Sequence, residues 1–95
     1  MDITIEQARK GLVSFLLEKS LLEIGTPILE KVTKKLYQKY QVYLPDCYEH
    51  PEYLKVVLQE IFGNGYTAIY SKVEQELSEF TYQQPIGKFL SVLTV

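Results

Sequence analysis

Ninety-five residues, 46% of them apolar and 23% charged, suffice for one domain with an end-to-end core, and no linker, repeat or low-complexity tract divides them. A formal net charge of -2 argues against a dedicated nucleic-acid binder, whose affinity comes from excess Lys and Arg neutralising phosphates. The single cysteine, Cys47, excludes an internal disulfide and fits a reducing compartment. No run approaches the roughly 18 apolar residues of a membrane span. The start, Met1 to Glu6, lacks the basic and apolar regions of a signal peptide, so the expected location is cytoplasmic.

The first helix is expected to begin at Thr4, which has capping-box spacing to Gln7. Leu12, Phe15, Leu16, Leu22 and Ile24 lie toward one side of it, Val13, Leu17 and Leu21 widen the stripe, and Glu18, Lys19 and Glu23 mark the wet side. So wide a stripe predicts a central helix with neighbours on two sides. Gly11 within it costs about 1 kcal/mol against Ala, which points to close packing or a kink. Gly25-Thr26-Pro27 punctuates the chain, with Gly past a helix end, Thr26 as the next N-cap and Pro in the first turn. The second helix then runs over 27–40 and buries Ile28, Leu29, Val32, Leu36 and Tyr40.

Residues 41–50 read as a loop in which Asp46 starts at most a single turn. The third helix starts at Pro51 with His50 as N-cap, and turns Leu54, Val57, Leu58 and Ile61 inward. Gly63-Asn64-Gly65 stops it. The fourth helix, over 66–80, has the cleanest periodicity: Tyr66, Ile69, Tyr70, Val73, Leu77 and Phe80. Pro85 sets off an apolar segment, 86–95, that fits a short helix. The fold class is therefore all-α, a compact bundle of four to five helices.

Leu36-Tyr37-Gln38-Lys39-Tyr40, Leu44-Pro45, Pro51-Glu52 and Glu60-Ile61-Phe62-Gly63-Asn64-Gly65 together resemble a family of small archaeal helical domains, the Nitrososphaera output domains of type five. The likeness covers roughly residues 10–82. His50 stands where the family pattern has Asn before Pro-Glu, and the apolar tail lies outside the pattern. The resemblance implies an archaeal regulatory or interaction role and carries over no catalytic residue.

Cys47-x-x-His50 is the one pair suggestive of a metal or nucleophile site. A zinc site needs three or four protein ligands, a Cys nucleophile needs an oriented base, and the sequence has no other Cys or His. No metal, no cofactor and no catalysis are therefore expected. The carboxylates stand at helix-surface spacings beside lysines, with Glu30–Lys34 and Lys72–Glu76 as i,i+4 pairs. Lys31, Lys34, Lys35 and Lys39 form a ridge on the second helix which, with Glu30, carries a local charge of about +3. It reads either as a solvated face or as a contact for phosphate, nucleic acid or an acidic partner. Eight tyrosines and no tryptophan are the most unusual feature. Tyr37, Tyr40, Tyr43, Tyr48 and Tyr53 crowd around the 41–50 loop, where they either close the core's edge or form a surface that a partner covers.

The expected function is that of a regulatory interaction module without catalysis, self-associating as a homodimer or binding another signalling protein. The expected interface is the apolar tail, Phe89, Leu90, Val92 and Leu93, docked on or exchanged with a second chain, with Tyr40, Tyr43, Tyr48 and Tyr53 as further candidates; the competing reading packs the tail against its own domain. The alternatives are a nucleic-acid-binding domain using the Lys-rich helix 27–40, and a small-molecule sensor with a Tyr-lined interhelical pocket.

Overall fold

A computed structural model describes residues 4–94. Five α-helices account for most of them: α1 Ile5–Ile24, α2 Thr26–Tyr40, α3 Pro51–Phe62, α4 Tyr66–Leu77 and α5 Gln84–Leu93. Short 3-10 turns at Leu44–Tyr48, Gly63–Gly65 and Ser78–Phe80 join them. The fold is all-α, and no strand occurs among the described residues. The Cα radius of gyration, 12.7 Å, is that of a packed chain of this length.

The helix ends follow local chemistry. At the start of α1, Thr4 Oγ1 accepts from the Gln7 N–H at 3.0 Å, and Gln7 Oε1 accepts from the Thr4 N–H at 3.0 Å. The capping box read from the sequence thus forms, satisfying two backbone donors that the helix cannot. At the next junction the expectation is corrected. Thr26 is already helical, and Gly25 serves both helices: its N–H donates to the Leu21 carbonyl and its own carbonyl accepts from Ile28. With backbone groups closing both ends, the Thr26 side chain has no capping role. His50 does hold the N-cap position of α3 but makes no side-chain cap; its Nδ1 lies 3.2 Å from Glu52 instead. Gly63 ends α3 at φ +52°, a left-handed conformation that favours glycine.

The 41–50 segment is more ordered than a plain loop. Pro45 opens the 3-10 turn Leu44–Tyr48, and the Asp46 carboxylate accepts from the Tyr43 N–H at 2.9 Å. This turn buries Leu44 and Cys47 against α1 and α3. The fourth α-helix ends at Leu77, three residues before the expected end, and tightens into a 3-10 turn over Ser78–Phe80.

α1 packs against α2, α4 and the Leu44–Tyr48 turn, while α3 packs against α2, α4 and α5. One core fills the space between. Leu36, Leu58, Ile69, Val73 and Leu77 are all buried, as their spacing predicts, together with Val32, Leu54, Val57 and Tyr66. The ion pairs differ from the i,i+4 expectation. Among the described residues neither Glu30–Lys34 nor Lys72–Glu76 forms. Glu76 meets Lys19 at 3.2 Å and Lys72 meets Glu23 at 3.7 Å, tying α4 to α1. The packed helices bring partners closer than a helix's own next turn does.

Candidate functional site

α1 is the longest helix, and its two sides differ in fate. Val13, Leu16, Leu17, Ser20 and Leu21 face inward and are buried. The buried Ser20 hydroxyl donates to the Leu16 carbonyl at 2.8 Å, so this polar group carries no unpaired cost. Phe15 and Leu22, expected on the buried stripe, are 63% and 44% exposed. At about 100° per residue Phe15 points away from Leu17, and α2, α4 and the Leu44–Tyr48 turn cover the side that Leu17 faces. α1 has α2 and α4 as neighbours along its broad stripe, while the side that carries Ile5, Phe15 and Leu22 is open.

The open side has an order of its own. Ile5, Ala8, Leu12, Phe15, Lys19 and Leu22 follow one another in alternating steps of three and four. That spacing draws a single straight seam along a helix. Ile5 is 76% exposed, and Leu12 is half-buried where the seam meets the core. Phe15, Glu18, Lys19 and Leu22 surround a shallow hollow of about 380 Å³, with Glu23 at its edge. These are the i, i+3, i+4 and i+7 positions that receive a side chain from a facing helix. Arg9 flanks the N-terminal half of the seam and is held by Glu6 and by Gln83 Oε1 at 2.7 Å. Glu18 and Glu23 flank the C-terminal half. Gly11, beside the midpoint, is exposed, and a β-carbon placed there would touch nothing.

The residues singled out in the sequence are distributed differently. Phe89, Leu90 and Leu93 are buried in the chain's own core, and Val92 is half-buried. The tail folds back as α5 onto α3 and α4. The Tyr66 hydroxyl donates to the Leu93 carbonyl, and Lys55 Nζ donates to the Thr94 carbonyl at 2.9 Å. The tail is thus not an open apolar surface: α5 is amphipathic and its domain has room for it. Val95 lies outside the described residues.

The tyrosines divide between the two readings. Tyr40 stacks on Tyr53 with centroids 4.0 Å apart, and His50 stacks on the same ring at 4.7 Å. This ladder closes the corner between α2 and α3. Tyr48 is half-buried, and its hydroxyl donates to Glu6 at 2.9 Å. Its pKa is raised, first by burial and then by that carboxylate. Tyr43 alone of the four candidates is exposed, beside Tyr37 at 5.6 Å. A groove of about 450 Å³ between the starts of α1, α3 and α5 contains one tyrosine, Tyr48, and is rimmed by Glu6, Glu49, Glu52 and Lys88.

The lysine ridge is partly neutralised by tertiary packing. Glu60 of α3 pairs with Lys35 at 3.2 Å and also with Lys39. The two lysines hold the Glu60 carboxyl below its ordinary range, Lys39 foremost, and Lys39 is raised in turn. Lys31 and Lys34 remain outward on α2, beside Glu30.

Cys47 is fully buried, and burial pushes its thiol up to about 12. Such a thiol stays protonated at neutral pH and is a poor nucleophile. His50 is exposed and engaged with Tyr53 and Glu52. No group of three or more His, Cys, Asp or Glu able to hold a metal ion occurs among the described residues. Nor is any described helix long and apolar enough to cross a membrane.

The outer seam of α1 is the surface that sequence reasoning missed. Its signal was present as the three-and-four alternation, but Phe15 and Leu22 adjoin the buried positions closely enough to be read into one broad stripe. The chain matches no family model, no curated protein and no solved structure.

Proposed function

We propose that this protein is a small helical interaction module that works by self-association and has no catalytic activity of its own. One observation carries the reading: Ile5, Phe15 and Leu22 stand exposed along one side of α1, which its own domain leaves uncovered. Exposed apolar side chains scattered singly need no explanation, but a seam at regular spacing along one helix is what a partner covers. The tertiary packing also withdraws the competing surfaces. The tail is internal, most of the tyrosines are stacked or hydrogen-bonded, and half of the lysine ridge is paired with Glu60.

The likeness of residues 10–82 to archaeal output domains belongs to the same reading, in which a signal is passed by contact rather than by chemistry. The buried, protonated Cys47 and the stacked His50 fit a structural part for both.

The test is the mass of the chain in solution, by sedimentation or light scattering. The expected result is a dimer whose formation depends on concentration. A chain that stays monomeric up to about 100 µM, where even a weak interface still assembles, would overturn self-association.

A further inference from the structure

We infer that Tyr37 and Tyr43, with Lys31 and Lys34 leading up to them along α2, form a weak binding face for single-stranded nucleic acid. The rings stack on unpaired bases and the two ammonium groups contact phosphates. The inference concerns α2 and stands independently of the self-association proposed above.

Most of the tyrosines are engaged within the chain. The hydroxyls of Tyr48, Tyr66 and Tyr70 donate to Glu6, to the Leu93 carbonyl and to Glu74, and Tyr40 and Tyr53 stack on each other. Tyr37 and Tyr43 are 52% and 60% exposed, yet their rings form a pair, with centroids 5.6 Å apart and planes inclined by 33°. The backbone between them sets this pair. Gln41, just past α2, has φ +58° and is the one non-glycine residue with positive φ among the described residues. Its N–H donates to the Tyr37 carbonyl at 2.8 Å, and this left-handed step turns the chain so that Tyr43 returns beside Tyr37. The Asp46 carboxylate then holds the Tyr43 N–H at 2.9 Å. Two rings already fixed in place present a large π surface that loses little further freedom on binding.

Charge indicates what the rings meet. Lys31, Lys34 and Tyr37 follow one another at three-residue steps, which sets successive β-carbons about 5–6 Å apart on the helix surface. Lys35 and Lys39 share Glu60, whereas no ion pair forms at Lys31 or Lys34 among the described residues. Glu30, the one carboxylate of α2, lies at the end of the row remote from the rings. Counting Glu30 and Glu60 against the four lysines of α2, this part of the molecule carries +2, and the remainder of a chain of net charge -2 carries -4. A polyanion is therefore drawn to this face and repelled elsewhere.

Cations and rings together favour a nucleic-acid strand over an acidic peptide. A peptide carboxylate satisfies the lysines but offers the rings nothing flat, whereas every base has a π face and is joined to a phosphate. The strand is single, because the bases of a duplex are stacked on one another, and α2 has no Arg for reading base edges in a groove. Shape disfavours a free nucleotide. Such a ligand is held in a cavity that encloses most of it, while both rings stand on an open surface.

The experiment titrates the full chain into a fluorescein-labelled oligothymidine of about 12 nucleotides, within the usual footprint of such sites, and follows anisotropy at low salt. The expected dissociation constant is about 10–100 µM. Log affinity should fall with log salt at a slope near -1.4, about -0.7 for each of the two lysines. Tyr37→Ala and Tyr43→Ala should each weaken binding at least about fivefold and leave that slope unchanged, while Tyr37→Phe, which keeps the ring, should bind like the parent. The double variant Lys31→Gln with Lys34→Gln should flatten the slope. All four positions are exposed, and circular dichroism confirms that each variant keeps its helices. No binding up to about 1 mM, well beyond the usual range of non-specific contacts, would overturn the inference. So would alanine variants that bind like the parent. A duplex of the same length bound as tightly would overturn it by removing the role of unpaired bases, and polyglutamate bound as tightly would overturn it in favour of an acidic protein partner. None of these outcomes depends on whether the chain is a monomer or a dimer.

Discussion

Leu17 and Phe15 stand two residues apart on α1; the first is 1% exposed and the second 63%. The inner side of the helix, Val13, Leu16, Leu17 and Leu21, fits into a core built by α2, α4 and the Leu44–Tyr48 turn. The outer side carries Ile5, Phe15 and Leu22 along solvent, with Lys19 among them. The difference teaches that hydrophobicity determines that a residue gains by burial, while the supply of neighbouring elements determines whether it is buried. A domain of this size has enough helices for one side of α1.

The largest expected effect lies on the inner side. Leu17→Ala should lower the unfolding free energy by about 2–5 kcal/mol, through lost burial and the cavity left behind. Phe15→Ala, measured in dilute solution where any dimer is dissociated, should change it by within about 0.5 kcal/mol. A denaturant titration of the two variants checks both. Equal costs would mean that the outer side is covered within the monomer, and the contrast between the two sides would fail.

Cys47 offers a reporter of the inner side. It sits in the turn that packs against α1, and its thiol is buried and pushed up to about 12. Labelling by an aromatic disulfide reagent should therefore be slow in the folded protein and limited by opening of the structure. Leu17→Ala should speed labelling by at least tenfold, and Phe15→Ala should leave the rate unchanged. Rapid labelling of the parent protein would show that the inner side opens readily, which the packing does not allow.

Gly11 sharpens the comparison because the two properties should move in opposite directions. Gly11→Ala should raise the stability of the dilute monomer by about 1 kcal/mol, since the position is helical and open. The same change should weaken association if a second helix approaches there. A thermal melt and a sedimentation series on one sample read both quantities.

The smallest effect concerns a pair far from either side of α1. Glu60 is held below its ordinary 4.5, first by Lys39 and then by Lys35. Its ion pairs thus add stability that is present above that value and lost as the pH falls through the lowered one. Glu60→Gln should flatten this acid limb of the stability curve slightly and leave the association equilibrium unaltered. It should also free Lys35 and Lys39, and any weak, salt-sensitive DNA binding should rise in the variant. An unchanged acid limb would mean that the exposed pairs contribute nothing measurable, as is common for surface ion pairs.

The sequence by itself determined the helices and most of the core. Apolar residues at three- and four-residue steps located Leu36, Leu58, Ile69, Val73 and Leu77, and Thr4, Gly25, Pro51 and Gly63 placed the ends, because these signals act within a few residues of chain. Three things were decided only by the tertiary structure. Glu60, Glu76 and Glu23 found lysines on other helices, since side-chain heads meet across helix contacts that no spacing within one helix encodes. The apolar tail turned inward as α5, because α3 and α4 left a hydrophobic surface for it to cover. And α1, with a broad apolar stripe in the sequence, was covered by α2, α4 and the Leu44–Tyr48 turn but left Ile5, Phe15 and Leu22 exposed. Periodicity reports which residues avoid water, but which of two apolar faces is left open depends on where the remaining helices pack.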